Sequence, residues 1–148
     1  MAVYTHIDDE ELAALLERYD IGDLRSFSGI AEGVENSNYI VRTTTAPYIL
    51  TLYEKRVNEV DLPFFIGLME HLSAKGLRCP VPVRDKSGNV LQTCAGRAAA
   101  LVSFLDGTSF RYPNRDKCAA LGAALADFHV KAADFTIMRE NTLGPENW

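Results

Sequence analysis

The stretch Ala98–Leu105 reads AAALVSFL, eight residues with Ser103 as the single polar side chain. A strand with one wet face alternates polar and apolar residues, so a nearly continuous apolar run needs cover on both faces. The run therefore predicts a central strand, and the rest of the chain must supply its neighbours. Asp106-Gly107 follows at once and marks where the strand leaves the sheet.

Neighbours are available. Strand-like stretches lie near Leu24–Ile30, at Tyr39–Thr43 and at Tyr48–Tyr53, the last two joined by a short loop around Thr45, Ala46 and Pro47. Asp8 and Glu11 read as a capping box for a helix carrying Leu12, Leu15, Leu16 and Tyr19, with Gly22 as its stop. Asp61 can cap a second helix with Pro63 in its first turn; Phe64, Phe65, Leu68, Met69 and Leu72 form its apolar face, and Gly76 ends it. Cys79–Val83 is extended, because each proline pushes the residue before it out of the helical region. Ser87-Gly88-Asn89 signals a hairpin with Val90–Cys94 as its return strand. A last helix is predicted from about Asn114 to Ala133.

This order predicts an α+β fold, a curled antiparallel sheet with one helix across its face. Residues 1–23 read as an N-terminal helix, 24–105 as the compact sheet unit, and 106–148 as an exit loop plus the first helix of something further. Cys118, Leu121, Gly122, Leu125, Phe128, His129 and Ala132 share one face of that helix and should be buried. Few residues follow to cover them, so the sequence reads as a fragment in which a second domain is beginning, its Asn114–Ala133 helix awaiting a partner surface.

Charge and cysteine content narrow the function. The 148 residues carry 15 Lys+Arg and 20 Asp+Glu, a formal charge of −5, so no basic excess exists to displace counterions from nucleic acid. No apolar run approaches the ~20 residues that span a bilayer, and the acidic start MAVYTHIDDEE is unlike a signal peptide. A soluble cytoplasmic protein without nucleic-acid or membrane partners is expected. Cys79, Cys94 and Cys118 form no CxxC pair, and His6, His71 and His129 do not cluster with them, so no metal site is expected.

Two segments hold candidate chemistry. Gly33-Val34-Glu35-Asn36-Ser37-Asn38-Tyr39 lies between strands, where its amides and short polar side chains can face an anion such as phosphate or merely form a hairpin turn. It is neither GxGxxG nor a Walker loop. Leu101–Gly107 can offer strand-end carbonyl and amide groups to a planar heterocycle, or be a core strand with a turn after it. No GxSxG elbow or D-F-G occurs, and the only H-x-D, His6-Ile7-Asp8, merely enters the first helix.

In order, Gly29–Thr43 (GIAEGVENSNYIVRT), Pro47–Arg56 (PYILTLYEKR), Asp61–Val83, Gly96–Gly107 (GRAAALVSFLDG), Leu121–His129 and Glu140–Trp148 (ENTLGPENW) carry a resemblance. They resemble the small lobe of the aminoglycoside-phosphotransferase and choline-kinase-like family, most of all its bacterial homoserine kinase branch, over essentially the whole chain. The resemblance implies a protein-kinase-like small lobe followed by the start of a helical large lobe. It also implies ATP and Mg²⁺ as cofactors and L-homoserine as the hydroxyl substrate, on the route to threonine. Gly33, Val34, Glu35, Asn36, Ser37 and Asn38 would fold over the nucleotide phosphates. Ser103, Phe104 and Leu105 would be the hinge against adenine, with Ile49 and Val102, or apolar neighbours, sandwiching the base.

The pattern departs from the family's in two places. Kinases hold the phosphates with a strand lysine paired to a helix glutamate; alignment puts Thr51 at the first position and Phe65 at the second, so Lys55 or Arg56 becomes a candidate cation. The family's H-G-D-x-x-x-x-N catalytic loop and later magnesium-binding Asp are absent from the 148 residues, so no catalytic base and no metal ligand is expected here. Related choline, aminoglycoside or fructosamine-type kinases, and a non-catalytic nucleotide-binding or interaction module, are the alternative readings.

Overall fold

The structure, a computed structural model, describes residues 3–31, 35–55, 57–141 and 144–145. Five strands form one antiparallel sheet: β1 (Leu24–Gly29), β2 (Ser37–Thr43), β3 (Pro47–Leu52), β4 (Leu91–Cys94) and β5 (Arg97–Ser103), in the order β1-β2-β3-β5-β4. The apolar run is interior as expected, with β5 flanked by β3 and β4 and buried from Ala99 to Val102.

Strand alternation splits the sheet into two faces. Tyr39, Val41, Leu50, Leu52, Ala99 and Leu101 point one way and meet Leu12, Leu15 and Leu16 of α1 (Asp9–Leu16), together with Tyr19 and Ile21. Full burial of a leucine contributes roughly 1.5–3 kcal/mol, and Leu12, Leu50, Leu52 and Leu101 are each fully buried. The capping box forms as read: Glu11 N donates to Asp8 Oδ1 at 2.8 Å, and Asp8 N donates to Glu11 Oε2 at 3.3 Å. The helix stops at Leu16, however, and Tyr19 reaches the core from the turn beyond it. Gly22, at φ +78°, belongs to the turn into β1.

On the opposite face, Ile66 of α2 (Leu62–Ala74) packs with Val90 and Ala100, so helices cover both faces of the sheet rather than one. A 3-10 turn, Glu59–Asp61, precedes α2 and is capped by Asn58, whose Oδ1 accepts from Val60 N at 3.3 Å. Asp61 makes no side-chain capping bond, contrary to expectation. The C-terminus is as read: Gly76 lies at φ +76°, Gly76 N donates to Ser73 O and Leu77 N to Leu72 O, both at 2.9 Å, the paired bonds of a Schellman end.

The Ser87–Asn89 turn exists, with Asp85 Oδ1 accepting from Ser87 N and Asn89 N, but it does not join two strands paired with each other. Pro82 bridges Val102, and Leu91 pairs with Ala100, so both arms lie along the same edge of β5 with residues 84–90 looping out between them. The true hairpin turns at Ala95-Gly96, both at positive φ, which suits a two-residue turn whose twist matches the strands.

The final helix, α3 (Arg115–Ala132), begins at Asn114 as expected, with Asn114 Oδ1 accepting from Lys117 N at 3.0 Å. Its apolar stripe is not buried. Leu121 is 70% and Leu125 53% exposed, and no residue of α3 enters the core. Past α3 the chain returns along α2: Asp134 bonds His71 and Lys75, Phe135 lies edge-on to Phe64 and against His71, and Arg139 reaches Asp61. Gly67 permits this, because a Cβ there would stand 3.2 Å from Ile137 Cδ1 and 3.3 Å from Phe135 Cζ. Among the described residues no helix is long and apolar enough to cross a membrane.

Candidate functional site

On the α2 face, where the sheet runs past the Ile66–Ala100 contact, a cleft of about 960 Å³ opens, within the range of small-molecule sites. The period of two along β3 places Ile49, Thr51 and Tyr53 in its floor, and β5 adds Val102 beside Ile49. Phe65 and Met69 of α2, Pro80 of the edge segment, and Phe104 and Leu105 close its sides. Strand register gives the cleft a direction. Asn38 and Thr51 lie side by side on one flank, and Ile49, Val102 and the exit residues Phe104–Leu105 lie on the other.

The polar flank is fixed by hydrogen bonds. Thr51 Oγ1 donates to Asn38 Oδ1 at 2.8 Å, and Glu54 N donates to Asn36 Oδ1 at 3.4 Å. Asp61 and Arg139 line the same cleft: Asp61 Oδ2 accepts from Arg139 Nε at 2.8 Å, and the guanidinium lies 5.2 Å from the centre of the Phe65 ring. A guanidinium placed over an aromatic face gains a cation–π attraction.

Of the expected site residues, Glu35, Asn36, Asn38, Ile49, Thr51, Val102, Ser103, Phe104 and Leu105 all line this one cleft, although they come from three strands and two connections. Gly33 and Val34 lie outside the described residues. Ser37 is a correction: its hydroxyl is fully buried away from the cleft, donates to Glu54 Oε1 at 2.6 Å, and accepts from Tyr4 N and Thr5 N. Alternation explains it, since Asn36 and Asn38 face the cleft and the residue between them faces the opposite side. Ser103 lines the cleft, but its amide donates to Val81 O and its hydroxyl accepts from Val81 N, so its polar groups tie down the edge segment.

Glu54 is buried, which by itself raises a carboxyl pKa. The hydrogen bonds from Ser37 and Thr5 and the charge of Arg97, 3.2 Å away, outweigh that burial and hold the carboxyl below the ordinary carboxylate range.

Thr51 and Phe65, where a kinase lysine and glutamate would stand, both line the cleft. Of the two alternative cations, Lys55 is exposed and is not among the lining residues, and Arg56 lies outside the described residues. Sequence reading missed the Asp61–Arg139 pair, whose members are 78 residues apart. For magnesium, among the described residues no group of three His, Cys, Asp or Glu side chains is placed to hold a metal ion. The cleft's carboxylates are Glu35 and Asp61, the latter committed to Arg139, so these residues do not form a magnesium site.

This arrangement of a five-stranded antiparallel sheet, helices on both faces and a cleft under one of them has a counterpart among solved structures, in a protein-kinase-like fold. The structure of spectinomycin phosphotransferase in complex with ADP and spectinomycin matches it with a TM-score of 0.68 at 15% sequence identity, over 95% of this chain and 44% of that one. The chain belongs to the Phosphotransferase enzyme family, whose sequence profile matches residues 26–147. Homoserine kinases are similar over all 148 residues: that of Xanthobacter autotrophicus is 60% identical, that of Methylobacterium radiotolerans 59%, and that of Brucella anthropi 53%. The chain spans 46% of the first two proteins and 45% of the third, about half the length of these curated relatives.

Proposed function

We propose that this chain is the nucleotide-binding half of an ATP-dependent kinase that phosphorylates the side-chain hydroxyl of L-homoserine, on the route to threonine in the cytoplasm. The observation that carries this reading is the similarity to homoserine kinases along every part of the chain, the cleft included. Adenine lies on the floor that Ile49 and Val102 form side by side, and the backbone of Phe104 and Leu105 supplies its in-plane hydrogen bonds. The phosphates lie toward Glu35, Asn36, Asn38 and Thr51.

In the transfer itself, the homoserine oxygen bonds to the γ-phosphorus, the bond from that phosphorus to the β,γ-bridging oxygen breaks, ADP leaves, and the hydroxyl proton passes to a base. The 148 residues contain no H-G-D-x-x-x-x-N to supply that base. We assign the base, the magnesium ligands and the acceptor pocket to the sequence that follows the matched region in the relatives. On this reading residues 106–148 open the second lobe, and the exposed face of α3 packs against its remainder.

The test mixes the chain, or fuses it, with the second half of the Xanthobacter autotrophicus homoserine kinase and measures ATP-dependent phosphorylation of L-homoserine, choline and spectinomycin. The expected result is turnover of L-homoserine by the mixture or fusion and none by the chain alone. Turnover of choline or spectinomycin in preference to L-homoserine would overturn the substrate assignment.

A further inference from the structure

The segment after α3 runs antiparallel to α2 as a strap. Its Asp134 is held at the far end of α2 by His71 and Lys75, Phe135 and Ile137 sit over Gly67, and Arg139 is held at the near end by Asp61. The lengths agree: from Asp61 to His71 the helix rises about 15 Å at 1.5 Å per residue, and an extended Asp134–Arg139 spans about 17 Å. The strap thus delivers a guanidinium to the wall of the nucleotide cleft, where neither Thr51 nor Phe65 can supply a positive charge.

Resting on the nucleotide reading above, we propose that Arg139 is the phosphate-binding cation of this cleft, and that the Asp61–Arg139 pair replaces the strand-lysine and helix-glutamate pair of other kinases. Arg139 is the cation among the described lining residues. It stands on Phe65, the residue at the helix-glutamate position, at 5.2 Å from the ring centre. Asp61 then orients the cation, as the glutamate does elsewhere. A guanidinium presents its N–H donors in a rigid planar fork whose geometry matches phosphate oxygens.

The inference separates from the nucleotide reading by comparing two ligands that differ only in phosphate. ADP and adenosine are titrated calorimetrically into the 148-residue chain and into Arg139→Gln, Arg139→Lys and Asp61→Asn, each checked for folding by circular dichroism. Loss of a charge-assisted bond predicts roughly a 10- to 100-fold weaker ADP affinity in Arg139→Gln, with adenosine unchanged. Arg139→Lys recovers part of the loss, and Asp61→Asn shows an intermediate one. Unchanged ADP affinity in Arg139→Gln overturns the proposal and leaves the nucleotide site standing. A parallel loss for ADP and adenosine also overturns it, because Arg139 would then only shape the cleft. If the unmodified chain binds neither ligand, the nucleotide reading falls first and the proposal with it. Should Arg139→Gln fail to fold, Arg139→Lys decides by the same ADP-to-adenosine ratio.

Discussion

The Ser37 hydroxyl donates to Glu54 Oε1 across 2.6 Å, joining the start of β2 to the residues that leave β3, with both side chains out of solvent. The same hydroxyl accepts from Tyr4 N and Thr5 N, and Arg97 meets the other carboxylate oxygen. One buried carboxylate therefore ties the N-terminal segment, the start of β2 and the β4–β5 hairpin together. Glu54→Gln is expected to lose about 1–3 kcal/mol of stability, the cost of leaving a buried charged partner poorly satisfied, as measured by urea unfolding at neutral pH.

That network predicts a pH dependence of fixed sign. The folded Glu54 carboxyl titrates below its ordinary value, so its contribution is fully present above the unfolded carboxylate pKa and is lost as pH falls through the folded one. Unfolding free energy measured from neutral to acidic pH should therefore fall more steeply for the native chain than for Glu54→Gln. Parallel profiles would refute the assignment.

The Thr51–Asn38 bond spans two strands on the floor of the cleft. Asn38→Ala leaves the Thr51 hydroxyl without that acceptor and should cost about 1 kcal/mol. Adding Thr51→Val should recover most of the loss, since removing both partners is close to neutral. A double-mutant cycle by thermal unfolding measures the coupling, and an additive cycle would show that the pair contributes nothing.

The two kinds of information separated cleanly along the chain. Elements signalled by local chemistry were legible: Asp8 and Glu11 at α1, Gly76 after α2, Asn114 at α3, and the apolar run of β5. The β4–β5 hairpin was not, because its turn uses Ala95 at φ 48°, a residue with no preference for that region, while Ser87-Gly88-Asn89 offered a stronger but misleading signal. In the cleft, Ile49, Thr51 and Val102 were foreseeable, but Ser37 broke the pattern because the strand period already applies within Asn36–Asn38. The strap was invisible to pattern reading, since Asp134–Arg139 has neither helical nor strand periodicity and its partners lie about sixty to eighty residues away.

Gly67 tests the strap independently of any ligand. Gly67→Leu would drive a side chain into Phe135 and Ile137, so the strap should lift while α2 keeps its own backbone bonds. Faster hydrogen exchange confined to residues near 134–139 is the expected outcome. Exchange unchanged there would mean that the strap is held by its ion pairs alone.

Leu121 and Leu125 expose apolar surface on one face of α3, and contiguous apolar area beyond a few hundred Å² drives association. The isolated 148-residue chain should self-associate at high concentration, and Leu121→Lys with Leu125→Lys should restore a monomer by light scattering. A monomeric native chain would contradict this.

On the function proposed above, the cleft between β3, β5 and α2 takes the nucleotide. The most direct measurement is an amide NMR titration of the chain with ADP. The account requires saturable shifts at Ile49, Thr51 and Val102–Leu105, with Arg139 and Phe65 moving in the same titration and adenosine reproducing the Ile49 and Val102 shifts. Saturating ADP that leaves these residues unmoved, or that perturbs only the α1 face of the sheet, would contradict it.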